Sequence, residues 1–281
     1  MSNASVLFDA PGPQALRRYK ITAAVTVIGI IAVIALVVWK LYVEDQFTAE
    51  RWEPFVTPAI IELLIEGLVD TLLAAGVAIV GAVVFGVIFG VGKLSDHALV
   101  RWPSWTIVEF FRAVPLLLLI IFIWGLQGFP LGTLVPLILG LILYNGSVLA
   151  EVFRAGINAV PKGQSEAAFA LGMRKNQVMR IVLLPQAVKI MLPAIISQCI
   201  VALKDTSLGY VILAPGLTFV GRAIWRDFAN RLATALVLAA IYIVLNLLLS
   251  WLAEYLQRRM GTPKVDLVGG IVKTQPDAGA I

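Results

Sequence analysis

One histidine, His97, and one cysteine, Cys199, are all that this chain of 281 residues has for imidazole or thiolate chemistry. Neither a His-based general base with a partner, nor a Cys-rich metal site, nor a disulfide framework can be assembled from them. His97 stands beside Asp96 in a short polar stretch and reads as a solvated residue, while Cys199 sits in an apolar run and reads as a small buried side chain. What remains are carboxylates and cations at helical spacing. Glu62, Glu66 and Asp70 recur every four residues, which puts all three on one helix face. A metal or proton site there competes with a solvated face on a helix leading into the membrane, and the lack of a histidine or second carboxylate cluster favours the solvated face. Glu109 and Arg112, three apart in apolar surroundings, form either a functional charge pair or a clamp between neighbouring helices. Gly92-Lys93 lacks the upstream glycine and the following Ser or Thr of a phosphate loop, since Val87 and Leu94 occupy those positions. Any nucleotide chemistry must therefore belong to another chain.

The elements that must hold these residues are membrane helices. Hydrophobic residues make up 60% of the chain and charged residues 14%, with a mean hydropathy of +0.92, far from the balance of a soluble domain. About 20 apolar residues cross a bilayer core, and Ile21–Trp39 and Thr71–Gly92 each supply an uncharged run of that order. No small-x-small cleavage site follows Trp39, so the first run is expected to be a retained helix rather than a signal peptide. Gly86 and Gly90 form a small-xxx-small pair suited to close helix packing. Ala113–Ala150 carries no charge over 38 residues and is broken by Gly125-Leu-Gln-Gly-Phe-Pro-Leu-Gly132, which predicts two antiparallel helices. The first of them must begin near Ser104 to span, placing Glu109 and Arg112 in the inner half of the membrane. Asn145-Gly-Ser147 has the spelling of a glycosylation acceptor, but mid-helix it carries no such meaning.

The most prominent polar interruption is Gly163-Gln-Ser-Glu-Ala-Ala-Phe-Ala-Leu-Gly172. Gly163 and Ser165 suit the opening of a short helix, Ala167 and Ala168 give it a slim face, and Gly172 suits the left-handed residue that ends it. The spelling resembles the EAA loop of ABC importer permeases: a glutamate, two small residues, a glycine four positions after the second, and Leu184-Pro185 further on. The wider wording, Glu151-Val-Phe-Arg154-Ala-Gly156, Gly163-Gln164, Leu184-Pro185-Gln186-Ala187, Leu192-Pro193 and Lys204-Asp205-Thr206-Ser207-Leu208, resembles the polar amino-acid uptake branch of that family. The likeness runs from about Gly67 to Arg259. Val6-Leu-Phe-Asp-Ala-Pro-Gly-Pro13 is similar to the start of actinobacterial glutamate-uptake permease subunits. In one place the chain departs from the pattern, with Ala113-Val114 where the family has Gly-Thr between Arg112 and Pro115.

The resemblance implies an all-α, polytopic integral membrane protein of about six transmembrane helices with the type I ABC importer permease fold. It divides the chain into a cytoplasmic N-terminal segment (1–20), an extra transmembrane helix (21–43), a permease domain (59–259) with a cytoplasmic coupling loop (155–179), and a cytoplasmic tail (260–281). Two permease subunits would pair, each seating its loop in a groove of an ABC ATPase dimer that binds ATP and Mg, while an extracellular solute-binding protein delivers the solute. The chain itself would be non-catalytic and hold no cofactor. Residues expected to couple to the ATPase are Gly163, Glu166, Ala167, Ala168, Leu171 and Gly172; those expected along the solute path are Glu109, Arg112, Lys204, Thr206 and Ser207. L-Glutamate is the expected solute, with glutamine, aspartate or a basic amino acid as alternatives. A secondary transporter driven by ion gradients is the competing class, opposed by the absence of a recognisable inverted repeat and by the scarcity of carboxylates in the helix centres.

Charge sets the expected orientation. For a multi-pass protein of the bacterial cytoplasmic membrane with both termini cytoplasmic, fourteen Lys and Arg residues fall on the cytoplasmic side against four outside, Arg51, Arg222, Arg226 and Arg231. The net charge of +5 follows from this topology and does not point to nucleic acid.

Overall fold

The computed structural model describes residues 12–126 and 132–259, which form eleven α-helices joined by short turns and contain no strand. The Val6–Pro13 wording, apart from its last two residues, lies outside the described residues, as do most of the Gly125–Gly132 turn and the tail 260–281. Among the described residues five helices are long and apolar enough to cross a membrane, and the number is six if one bent pair forms a single broken span.

The described chain divides into two compact units, the smaller containing residues 12–62 and 223–236. Its first helix, α1 (Pro13–Val43), opens on a proline, whose missing N–H costs nothing in a first turn, and closes on Glu44, which accepts from Lys40 Nζ at 2.6 Å. None of the spanning stretch of α1, a helix that is apolar all round, is buried by the rest of the chain. A short α2 (Ala49–Trp52) is fastened to the start of α11 (Arg231–Arg259). Arg51 donates to the carbonyl of Ala229 at 2.9 Å, and the fully buried Asn230 donates back to the carbonyl of Arg51 at 3.0 Å.

The larger unit contains the described residues of 63–222 and 237–259. Most of α3 (Pro58–Gly92) belongs to it; at 35 residues this helix is about 52 Å long and outruns a hydrocarbon core of about 30 Å. The glycine pair serves packing. A Cβ on Gly86 would lie 2.8 Å from Leu149 Cβ, and one on Gly90 would lie 2.7 Å from the Ala150 carbonyl, so α3 meets α6 (Leu134–Asn158) almost backbone to backbone. Two apolar clusters form the core: Ile120, Leu137, Leu141 and Ile212 at one level, and Leu149, Phe153, Ile157 and Met191 at the other.

The expected straight helix from Ser104 is replaced by two, α4 (Ala98–Ala113) and α5 (Leu116–Gly125), meeting at 101°. Pro115 is the cause: it has no N–H to continue the ladder and forces Val114 into the extended region (φ −79°, ψ 126°). Alone, α5 covers about 15 Å, half the bilayer core. Glu109 and Arg112 therefore lie on the other arm of a sharp bend rather than part-way along one straight span.

Between α6 and the next spanning segment lie α7 (Lys162–Ala170) and α8 (Lys175–Gln177), then a wide π-helical turn over Val178–Leu183 that leads into α9 (Leu184–Asp205). Pro185 has no N–H to give the Ile181 carbonyl one turn back, inside the widened segment. A 3₁₀ segment, Thr206–Ile212, and α10 (Leu217–Phe228) follow.

Candidate functional site

The polar loop folds as its composition predicts, and its end is specific. Gly172 takes φ +78°; its N–H donates to Phe169 at 2.9 Å while that of Met173 donates to Ala168 at 3.2 Å, the paired bonds of a Schellman cap. Pro161, rather than Gly163, occupies the N-cap position, and Ser165 Oγ turns back to the Lys162 carbonyl at 2.8 Å. Gly163 is exposed, with open space where a Cβ would stand.

Exposure separates the candidate coupling residues. Glu166, Ala167 and Gly172 are exposed, and Leu171 is 83% exposed, with the half-exposed Phe169 nearby. Ala168 is buried at 4%, so it seats α7 on its own chain, in contrast to the expectation that both alanines face a partner. None of the ion pairs among the described residues involves Glu166. Two tethers hold the loop. Gln186 of α9 donates to Gln164 at 3.3 Å, and Lys175 of α8 pairs with Asp96, in the turn between α3 and α4. The Lys175 ammonium holds the exposed Asp96 carboxyl below its ordinary range.

A second polar site lies where α3 ends. Lys93 is 99% covered, its side chain 1% exposed, yet it carries a charge, and its Nζ bonds Glu109 of α4 at 3.1 Å and Glu151 of α6. Its ammonium also stands 5.3 Å from the Trp105 ring centre. Each glutamate has an arginine three residues on: Arg112 reaches Glu109 at 3.3 Å and Arg154 reaches Glu151 at 2.9 Å. The five side chains carry three positive charges and two negative. Desolvating an ammonium costs several kcal/mol unless it is closely paired, and two carboxylates meet that cost here. Of the two readings of Glu109 and Arg112, the geometry matches the clamp. Sequence reasoning had not singled out Lys93 as a site residue, and nothing local in its apolar surroundings names its partners.

Among the other expected path residues, Lys204 is exposed and Ser207 half-buried, while Thr206 is buried and bonds the Leu203 carbonyl at 2.6 Å. Close to them is a polar group the sequence reading passed over. Asn145, buried in α6, accepts from Gln198 of α9 at 2.6 Å. Its Nδ2 has no hydrogen bond of ordinary geometry, although the Asp205 carboxylate is near enough to interact with it. Two amides alone in apolar helices were the signal, because such groups seek each other in a membrane.

Glu62 and Glu66 are exposed and Asp70 half-buried on α3, and no group of three His, Cys, Asp or Glu among the described residues could hold a metal ion.

Residues 82–262 match the family described as the binding-protein-dependent transport system inner membrane component. The chain belongs to that family. It is the permease subunit of an ATP-driven importer. Over 201 residues, 67% of this permease and 72% of the relative, it is 43% identical to the glutamate transport system permease protein GluD of Corynebacterium glutamicum. Over 180 residues, 60% and 80% of the two chains, it is 32% identical to the glutamate/aspartate import permease protein GltK of Escherichia coli O6:H1. A solved amino acid ABC transporter, crystallised with histidines, superposes with a TM-score of 0.67 at 32% identity over 71% of this permease and 94% of that chain. The MetNI methionine ABC transporter, at 22% identity and a TM-score of 0.63 over 73% and 99%, shares the fold. The matched stretch of the permease contains the charge junction, the loop and the Asn145–Gln198 pair; α1 and α2 precede it.

Proposed function

We propose that this permease imports L-glutamate, with α7 as the element that receives the motion of a separate ATPase pair. The observation that carries the solute is the 43% identity to a permease named for glutamate transport. Physics adds a tilt in the same direction: Lys204, Arg222, Arg226 and Arg231 are all exposed, with Arg226 paired to its neighbour Asp227, and an excess of exposed cations draws anions. Glu109 and Arg112 have their charges satisfied within the Lys93 junction, and Thr206 bonds its own backbone. Lys204 and Ser207 are therefore the path residues left to meet a solute.

ATP and Mg²⁺ belong to the ATPases, whose approach on nucleotide binding moves α7. Glu166 supplies charge pairing, Ala167 close approach and Leu171 an apolar knob; Gly172 sets the angle at which the helix ends. A second permease subunit completes the pathway, and an extracellular binding protein delivers the solute to it. The same outer arginines suit an acidic face on that protein. For coupling, α7 must bind one state of the ATPases better than the other.

Competition decides the solute. Cells expressing all subunits should take up labelled L-glutamate, with excess unlabelled glutamate competing and aspartate or glutamine competing less. Blocking by arginine or histidine, without blocking by glutamate, would overturn the solute and leave the importer standing. Orientation follows from Lys and Arg asymmetry, with both termini and α7 cytoplasmic. An impermeant thiol reagent should label Asp45→Cys but not Lys175→Cys in whole cells. Since Cys199 is half-buried rather than enclosed, the test starts from Cys199→Ser.

A further inference from the structure

The Lys93 junction borders the coupling loop on both sides. Glu151 lies in the last two turns of α6, which ends at Asn158, four residues before α7 begins at Lys162. Asp96, three residues beyond Lys93, pairs with Lys175, just after the loop helix. A displacement of α7 is thus passed through α6 to Glu151 and, by a softer exposed tether, to the turn that follows Lys93.

We propose that Lys93 is a positioning residue for transport: its ammonium, shared by Glu109 and Glu151, makes the loop-side ends of α3, α4 and α6 move as one body when α7 moves. The physical reason is the shape of the energy well. Pulling either glutamate away leaves Lys93, only 1% exposed, with a charge that water does not reach, so the junction resists opening far more than an apolar contact of equal area. Arg112 and Arg154, 39% and 40% exposed, hold the two carboxylates in place from the rim. Without Lys93 each glutamate keeps its arginine and each helix keeps its packing, but α3 can slip relative to α4 and α6. Loop motion would then be lost as local repacking instead of reaching the pathway.

This rests on the importer reading, and the test separates the two. The complete complex, with its ATPase, partner permease and binding protein, is reconstituted in liposomes, and solute uptake and ATP hydrolysis are measured together. A wild-type complex without ATP-dependent uptake of any amino acid would remove the importer reading itself; uptake of one other than glutamate would only change the probe. For Lys93→Met the complex should assemble and hydrolyse ATP within about twofold of wild type, while solute moved per ATP falls about tenfold, a loss of the size seen for coupling between sites. Lys93→Arg should recover most of it, because a cation again bridges both glutamates. The triple variant Lys93→Met, Glu109→Gln, Glu151→Gln, which leaves no buried charge to disturb folding, should lose coupling equally. Wild-type uptake per ATP in Lys93→Met or in the triple variant overturns the proposal. So does failure of both to assemble, which would assign the junction to folding.

Discussion

The two charged regions of this permease treat their side chains in opposite ways. Around Lys93, every charge has a partner within the chain, and the ammonium is almost wholly covered. On α7, Glu166 and Leu171 face outward and Ala168 alone is buried. A polar group satisfied internally stabilises the fold; a Leu at 83% exposure contributes almost nothing to it and gains only when another surface covers it. Burial thus distinguishes residues that hold the permease together, such as Lys93, from residues that connect it to something else, such as Glu166 and Leu171.

The largest effect should come from stripping Lys93 of its partners. Glu109→Gln with Glu151→Gln leaves a buried ammonium uncompensated and should cost about 3–5 kcal/mol, seen as loss of assembled complex from the membrane fraction. Adding Lys93→Met should bring the complex back. Normal amounts of the double variant would mean that Lys93 is hydrated and that the contrast with α7 is false.

On the loop the expected result is the reverse. Glu166→Lys with Leu171→Asp should lower uptake by at least about tenfold while the unfolding midpoint in detergent shifts by the equivalent of no more than about 0.5 kcal/mol. Gly172→Pro should also uncouple without removing the protein from the membrane, since a φ of +78° is closed to proline. Wild-type uptake by the double variant would remove α7 as the coupling element.

Close helix approach is tested at Gly90, where a larger side chain must displace the Ala150 carbonyl. Gly90→Val should cost about 1–3 kcal/mol, measured as a lower unfolding midpoint, through overpacking of α3 against α6.

The exposed pair Asp96–Lys175 should matter least. Its carboxyl is held below the ordinary range by the lysine, so the tether is complete above the unfolded value of about 3.9 and is lost as pH falls through the lower folded value. In a Cys199→Ser background, spin labels at Ser95→Cys and Asn176→Cys should give an unchanged distance distribution between about pH 5 and 8 and a broader one in stronger acid. With Asp96→Asn the distribution should be broad throughout. A broad distribution at neutral pH in the parent would show that the loop is not tethered there.

Much of this molecule was legible in one dimension because the relevant physics is local. Composition and run length determined that it lives in a membrane and that its apolar runs fold as spanning helices. The loop helix and its glycine cap, the Glu109–Arg112 pair and the Gly86–Gly90 packing face all depend on residues three to ten positions apart. Even the bend after α4 had its cause written at Pro115, although its 101° and the loss of a straight span did not follow from length. Tertiary structure decided the rest: that Lys93 meets a glutamate 58 positions away, that Gln198 meets Asn145 across 53, and that Ala168 turns in while Ala167 turns out. Which ammonium finds which carboxylate depends on how helices pack, and packing in a membrane rests on close contact and interhelical hydrogen bonds that leave no trace of that choice in the spacing of the charges themselves.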